Sequence, residues 1–257
     1  MLCAALRSPA GRRGMGLALI VLLTGCAAVP GKRDPHDPWE RMNRATYRFN
    51  DTLDRGIVKP VAKGYKKVVP RPIRTGIANV LGNAGYTTTI ANDLLQAKFK
   101  SFGNDVGRFL LNSTVGIGGL LDPASAAGIV KNDEDFGQTL GRWGVHAGPY
   151  LVLPVLGPST LRDTVSLYPD WRTDLKSLPK DLWVRLGLDG LDLLGRRVEL
   201  LGADEVLSNS YDPYAFMRSA YLQHREYEVK DGDVPEEPTE EVPVEDETTP
   251  LEPPPVP

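Results

Sequence analysis

Between Asp181 and Leu201 the apolar residues recur with helical rather than strand periodicity, which restricts the possible folds more than any other feature. Val184, Leu188, Leu191, Leu194, Val198 and Leu201 fall on one stripe of an α-helix, and Asp181, Arg185, Asp189, Asp192, Arg196 and Glu199 take the opposite face. Trp183, Leu186, Leu193 and Leu200 widen the apolar side beyond what a core-facing helix needs. Gly187, Gly190 and Gly195 each cost about 1 kcal/mol relative to alanine, which allows bends or close contacts. No run of alternating apolar and polar residues is long enough for a sheet. The body of the chain is therefore expected to be one all-α domain.

Both ends fall outside that domain. Arg7, Arg12 and Arg13 form a basic start, and Met15 to Leu23 form an apolar run. That run is far below the roughly 20 residues of a membrane-spanning helix, so residues 1–25 are expected to be an export signal. It closes in Leu23-Thr24-Gly25-Cys26, which resembles the lipobox of bacterial lipoproteins, where the cysteine is acylated and the signal is cleaved before it. An ordinary secretory signal with an incidental cysteine is the plainer alternative. Cys3 lies in the removed part, so Cys26 is left alone and no intramolecular disulfide can form. Residues 26–36 then make a lipidated linker. Ala27 rather than aspartate follows the cysteine, which by general bacterial sorting rules points to the outer membrane. Residues 229–257 hold ten acidic residues, one lysine and eight prolines. With almost nothing apolar to bury, they are expected to form a disordered acidic tail, either a solvated end or an interaction arm. The body between the two ends carries only a mild positive charge, not the concentrated basic patches of a nucleic-acid partner.

The domain, residues 37–228, opens on Asp37-Pro38-Trp39-Glu40, which has the form of a capping box with Asp37 at the N-cap. Trp39, Met42, Phe49 and Leu53 follow at helical spacing, and Arg41, Arg44 and Arg48 share another face. Alone, this is the pattern of an ordinary surface helix; rings beside arginines also suit a membrane interface. Lys59, Lys63, Lys66, Lys67, Arg71 and Arg74 come next with no acidic residue among them, in a stretch that Pro60, Pro70 and Pro72 should divide. These cations either meet lipid phosphates, at about 1 kcal/mol each near an anionic surface, or form a solvated basic face. Arg41, Arg44, Arg48, Lys63, Lys66 and Lys67 are the candidates for headgroup contact.

From Val115 to Ala124 the periodicity fails. This segment is apolar and glycine-rich and stops at Asp122-Pro123. It is too short to span a bilayer, and is expected to form a hairpin or re-entrant element against lipid or a cavity wall, a buried loop being the alternative. Gly116, Gly118, Gly119, Leu120, Leu121 and Asp122 are its candidate functional residues. A second aperiodic segment runs from Pro149 to Pro158, and a last helix opens with Asp212-Pro213. Constellations that carry chemistry are missing. His36, His146 and His224 have no partners at metal-ligand spacing. Asp135-Phe136-Gly137 lacks the loops of a kinase, and Gly157-Pro158-Ser159-Thr160-Leu161 lacks the closing glycine of a nucleophile elbow. No catalytic residue, metal or cofactor is expected.

The body, from about Asp37 to Gly232, resembles the MlaA family, also called VacJ lipoproteins. The resemblance rests on Asp37-Pro38 with Asn43-Arg44, Phe49-Asn50 with Asp54, Pro60-Val61-Ala62, Asn92 with Leu95-Gln96, and Arg108-Phe109-Leu110-Leu111-Asn112. It continues through Gly116-Ile117-Gly118-Gly119-Leu120, Phe136-Gly137-Gln138-Thr139-Leu140-Gly141, Gly148-Pro149-Tyr150, Gly157-Pro158-Ser159-Thr160-Leu161-Arg162-Asp163 and Asp212-Pro213-Tyr214. Val80-Leu81 departs from it, since family members commonly carry aromatics there. The resemblance implies a ring of helices embedded in the inner leaflet of the outer membrane, beside a trimeric porin. It implies a lipid-anchored protein that is not an enzyme. Such a protein would take phospholipid strayed into the outer leaflet and pass it inward to a soluble periplasmic carrier, maintaining lipid asymmetry. The apolar hairpin around Gly116 to Asp122 would then gate the path. A structural lipoprotein that binds a membrane partner without moving lipid is the alternative.

Overall fold

The computed structural model describes residues 34–234; Cys26, the export signal and the acidic segment after Val234 lie outside the described residues. Helix α1 (Glu40–Leu53) runs through a π-helical turn at Asp54–Val58 into α2 (Lys59–Val68). Pro60 has no amide to donate to the turn before it, and the wider turn absorbs that loss without breaking the rod. Pro60 therefore does not divide the basic stretch. The break comes at Val69, which is extended as a residue before proline must be. Helix α3 (Arg71–Leu95) follows and forms a hairpin with α4 (Phe99–Thr114).

Side-chain caps set most later boundaries. Asp122 caps the short α5 (Pro123–Ala126), Asp135 caps α6 (Phe136–Arg142), and Thr160 caps α7 (Leu161–Thr173). Asp181 caps α8 (Leu182–Glu199), and Asp212 caps α10 (Pro213–Val229) after the short α9 (Asp204–Asn209). Asp37 does not follow this rule. The first helix starts at Glu40 without a side-chain cap. Asp37 is instead buried, accepting hydrogen bonds from Asn43 (2.8 Å), Arg218 (3.0 Å) and the Tyr214 hydroxyl.

The fold is helical as expected, with one short β-hairpin added. Strands β1 (Tyr150–Leu153) and β2 (Gly157–Thr160) pair antiparallel, Tyr150 opposite Thr160 and Leu153 opposite Gly157. Strands of four residues offer too few alternations to register as a pattern. Asn43 on α1 holds β1 from the side, donating to Tyr150 O and accepting from Val152 N.

Packing contacts close a circuit. The α1–α2 rod meets α8, α8 meets α3, α3 meets α7, α7 meets α6, α6 meets α10, and α10 returns through the β hairpin to α1. A circuit of this kind has an inner and an outer side, and the burial pattern reflects it. Among the described residues only eight apolar side chains are buried, against eighteen polar or charged ones, so hydrogen bonding holds the interior. The outside carries Trp183, exposed to 79%, and Val68, exposed to 78%. No helix among the described residues is long and apolar enough to cross a membrane.

Residues 229–234, which open the acidic tail by composition, still belong to the fold. Val229 ends α10, and Asp231 beyond it pairs with Lys98 and, at 2.6 Å, with Arg142.

Candidate functional site

The glycine-rich segment leaves α4 in a tight, hydrogen-bonded turn. Gly116 N donates to Leu111 O at 3.1 Å, and Gly118 N and Gly119 N donate at 2.9 Å to Ser113 O and Asn112 O. Leu121 N closes the loop on Gly116 O at 2.9 Å. Two of the glycines are there for close approach. A Cβ on Gly116 would lie 2.3 Å from Asn112 O, and one on Gly119 would lie 2.6 Å from the Asn83 side chain of α3. Gly118, at φ +67, faces open space. Ile117 also takes a positive φ of 56, a strained choice for a β-branched residue. The turn is open on one side, with Ile117 exposed to 69%. Its other side is seated on α3, where Gly76 leaves room for Leu120 and Asn79 donates to Leu120 O at 3.3 Å.

Asp122 anchors the end of this turn. Arg108 donates to it at 2.7 Å, Asn112 at 3.0 Å, and Ser125 through both amide (3.0 Å) and hydroxyl (2.6 Å). Burial opposes the charge, yet Ser125, Asn112 and Arg108 together hold the Asp122 carboxyl below the usual carboxylate range. Behind the turn lies a polar cavity of about 70 Å³, lined by Asn79, Asn83, Tyr86, Arg108, Asn112 and Asp122 among others. Asn79, Asn83 and Tyr86 repeat at helical spacing on α3, as do Asp105, Arg108 and Asn112 on α4. These two polar stripes are the signal in the sequence from which the cavity was readable.

A chain with this circuit, this turn and this exposed apolar exterior matches known proteins over nearly its whole described length. The family model described as MlaA lipoprotein matches residues 35–228. The chain belongs to the MlaA lipoprotein family. An Escherichia coli K12 relative, the intermembrane phospholipid transport system lipoprotein MlaA, is 36% identical over 225 residues, 83% of this chain and 86% of the relative. The Haemophilus influenzae protein of the same name is 33% identical over 229 residues, 82% of this chain and 88% of its own. A solved structure reported as "Structural basis for maintenance of bacterial outer membrane lipid asymmetry" is 34% identical, with a TM-score of 0.70. It covers 77% of this chain and 100% of its own.

Within this family member the basic candidates separate into two groups. Arg44 is committed inward. It chelates Asp212 at 3.1 and 2.6 Å, bonds Glu40 at 2.7 Å and lies 4.3 Å over the Tyr214 ring. The hydrogen bonds to Asp212, with Glu40 adding to them against burial, raise its pKa further. Arg41, Arg48, Lys63, Lys66 and Lys67 all lie exposed on the α1–α2 rod. Ile57, Val61 and Val68 form an exposed apolar stripe on the same rod. Lys59 is different again, since it pairs with Asp204 at 2.9 Å. These cations stand on α1 and α2, whereas the glycine turn is seated on α3 and α4.

Proposed function

We propose that this chain is an outer-membrane lipoprotein that removes mislocalised phospholipid from the outer leaflet and passes it inward to a periplasmic carrier, so maintaining lipid asymmetry. The observation that carries this reading is the family match over residues 35–228, with relatives named for intermembrane phospholipid transport. The physical features support it. Apolar residues turned outward, with no membrane-crossing helix among the described residues, suit a body that sits in one leaflet. A hydrogen-bonded interior suits passage of headgroups rather than of chains alone. Cys26 is the proposed lipid anchor on the periplasmic side, and a trimeric porin and a soluble carrier are the proposed partners. Arg41, Arg48, Lys63, Lys66 and Lys67 are the proposed headgroup contacts. The turn from Gly116 to Asp122 is the proposed gate. The relatives are named for transport, and the proposed role is not enzymatic.

The test is surface phospholipid in a strain lacking this chain, with and without its return. Restored asymmetry supports transport. Unrestored asymmetry, with the protein anchored and folded, favours a purely structural lipoprotein.

A further inference from the structure

Near the closed end of the α3–α4 hairpin, two fully buried carboxyl groups face each other. Asp93 on α3 and Asp105 on α4 are both 0% exposed. Asp105 is furnished as a carboxylate. Tyr86 donates its hydroxyl at 2.8 Å, Asn104 its amide at 3.0 Å, and Asn132 its amide to both oxygens at 3.1 and 2.9 Å. Asp93 has no such provision, and neither of its oxygens has a hydrogen-bond partner among the described residues. An ionised carboxylate buried without partners is so costly that a group in that position takes up a proton instead. The other charges around the pair do not relieve it. Glu134, from the segment before α6, adds negative charge, and Lys98 from the hairpin loop is bonded to Glu134 at 2.7 Å. Arg108 on α4 is directed to Asp122. No group of three or more His, Cys, Asp or Glu among the described residues is arranged to hold a metal ion, so a proton is the cation that fits.

We propose that Asp93 and Asp105 share one proton, and that losing it drives α3 and α4 apart at this end of the hairpin. Burial, then the adjacent Asp105 and the charge of Glu134, raise Asp93 far above the usual carboxylate range, against a smaller pull from Lys98. A carboxyl raised in the folded state contributes stability below its unfolded value of about 3.9 and loses it as pH climbs to the folded value. The same two helices carry the glycine turn at the other end of the hairpin, tied by Asn83 to Ser113 at 2.9 Å and by Asn79 to Leu120. The proton is thus a lock on the pair of helices that seats the turn. It acts independently of whether the turn gates lipid.

The experiment uses the full mature chain in detergent. Infrared spectra of the wild type at about pH 7 show a protonated carboxyl band, and Asp93→Asn removes it. Between about pH 4 and about pH 9 the unfolding midpoint of the wild type falls relative to Asp93→Asn, by a tenfold change in the folding equilibrium per unit of pKa elevation. Asp105→Asn is destabilised throughout, because its amide would face the Asn104 and Asn132 donors. Spin labels at the exposed positions Leu94 and Gly103 move apart at alkaline pH in the wild type and stay put in the Asp93→Asn background. Parallel stability curves, a missing band in the wild type, or an unchanged label distance overturns the proposal.

Discussion

Gly119 stands at φ +88 with Asn83 pressed against the place where a Cβ would sit, so Gly119→Ala pays both for a strained backbone and for a clash. The expected loss is on the order of 3 kcal/mol in denaturant unfolding. Gly118→Ala, in open space, should cost only about 1 kcal/mol. The difference matters for function, since only Gly118 reports on backbone freedom without damage to the fold. If Gly118→Ala and a polar change at Leu120 leave lipid asymmetry intact, the turn is not the gate. Asp37→Ala leaves the buried Tyr214 hydroxyl without its acceptor, while Arg218 keeps Asp34 and Asn43 keeps Tyr150 O, and should cost about 1–3 kcal/mol. Asp37 also marks a limit of sequence reading. A helix cap and a buried acceptor are both an aspartate before Pro-x-Glu, and only the position of Tyr214 and Arg218, far along the chain, separates them. Asp212, expected to open the last helix, does cap it.

Longer elements were more readable than short ones. The apolar stripe from Val184 to Leu201 has five turns over which to repeat, and α8 follows it closely. The strands at Tyr150 and Gly157 have four residues each, and the long-range bonds from Asn43 that hold them leave no local trace. Arg197 ties separate elements together. It chelates Asp54 of the π-helical turn at 2.7 and 2.9 Å and bonds Asp204 of α9 at 2.8 Å. Arg197→Lys keeps the charge but loses the fork geometry, and hydrogen exchange in α8 should rise. Unchanged exchange would show that apolar contact alone seats α8. At the other end, truncation after Val234 should leave the unfolding midpoint unchanged. Truncation after Lys230 should lower it, because it removes Asp231 from Lys98 and Arg142.

Taken as one titrating body, the protein is pulled in two directions by its acids. Asp212 is held below the usual carboxylate range by the Arg44 guanidinium, and Asp163 by Arg225, Thr160 and Arg162 despite burial. Their stabilisation is present above about pH 3.9 and fades as pH falls through their lowered values. Asp170 is pushed by burial up to about 6, and its contribution is lost between about pH 3.9 and that value. The highest unfolding midpoint is therefore expected on the acid side of neutrality; a maximum above about pH 7 would contradict these assignments. The polar interior has a calorimetric consequence as well. Newly exposed apolar surface raises the heat capacity of unfolding and newly exposed polar surface lowers it. Here the amides and carboxyls of Asn43, Asn92, Asp105 and Thr139's neighbours lie inside while Trp183 and Val68 are already outside. Unfolding should accordingly show a heat-capacity increment below the roughly 12–15 cal/mol/K per residue of ordinary globular proteins. Its stability curve is then shallow, and cooling or mild warming does little to it.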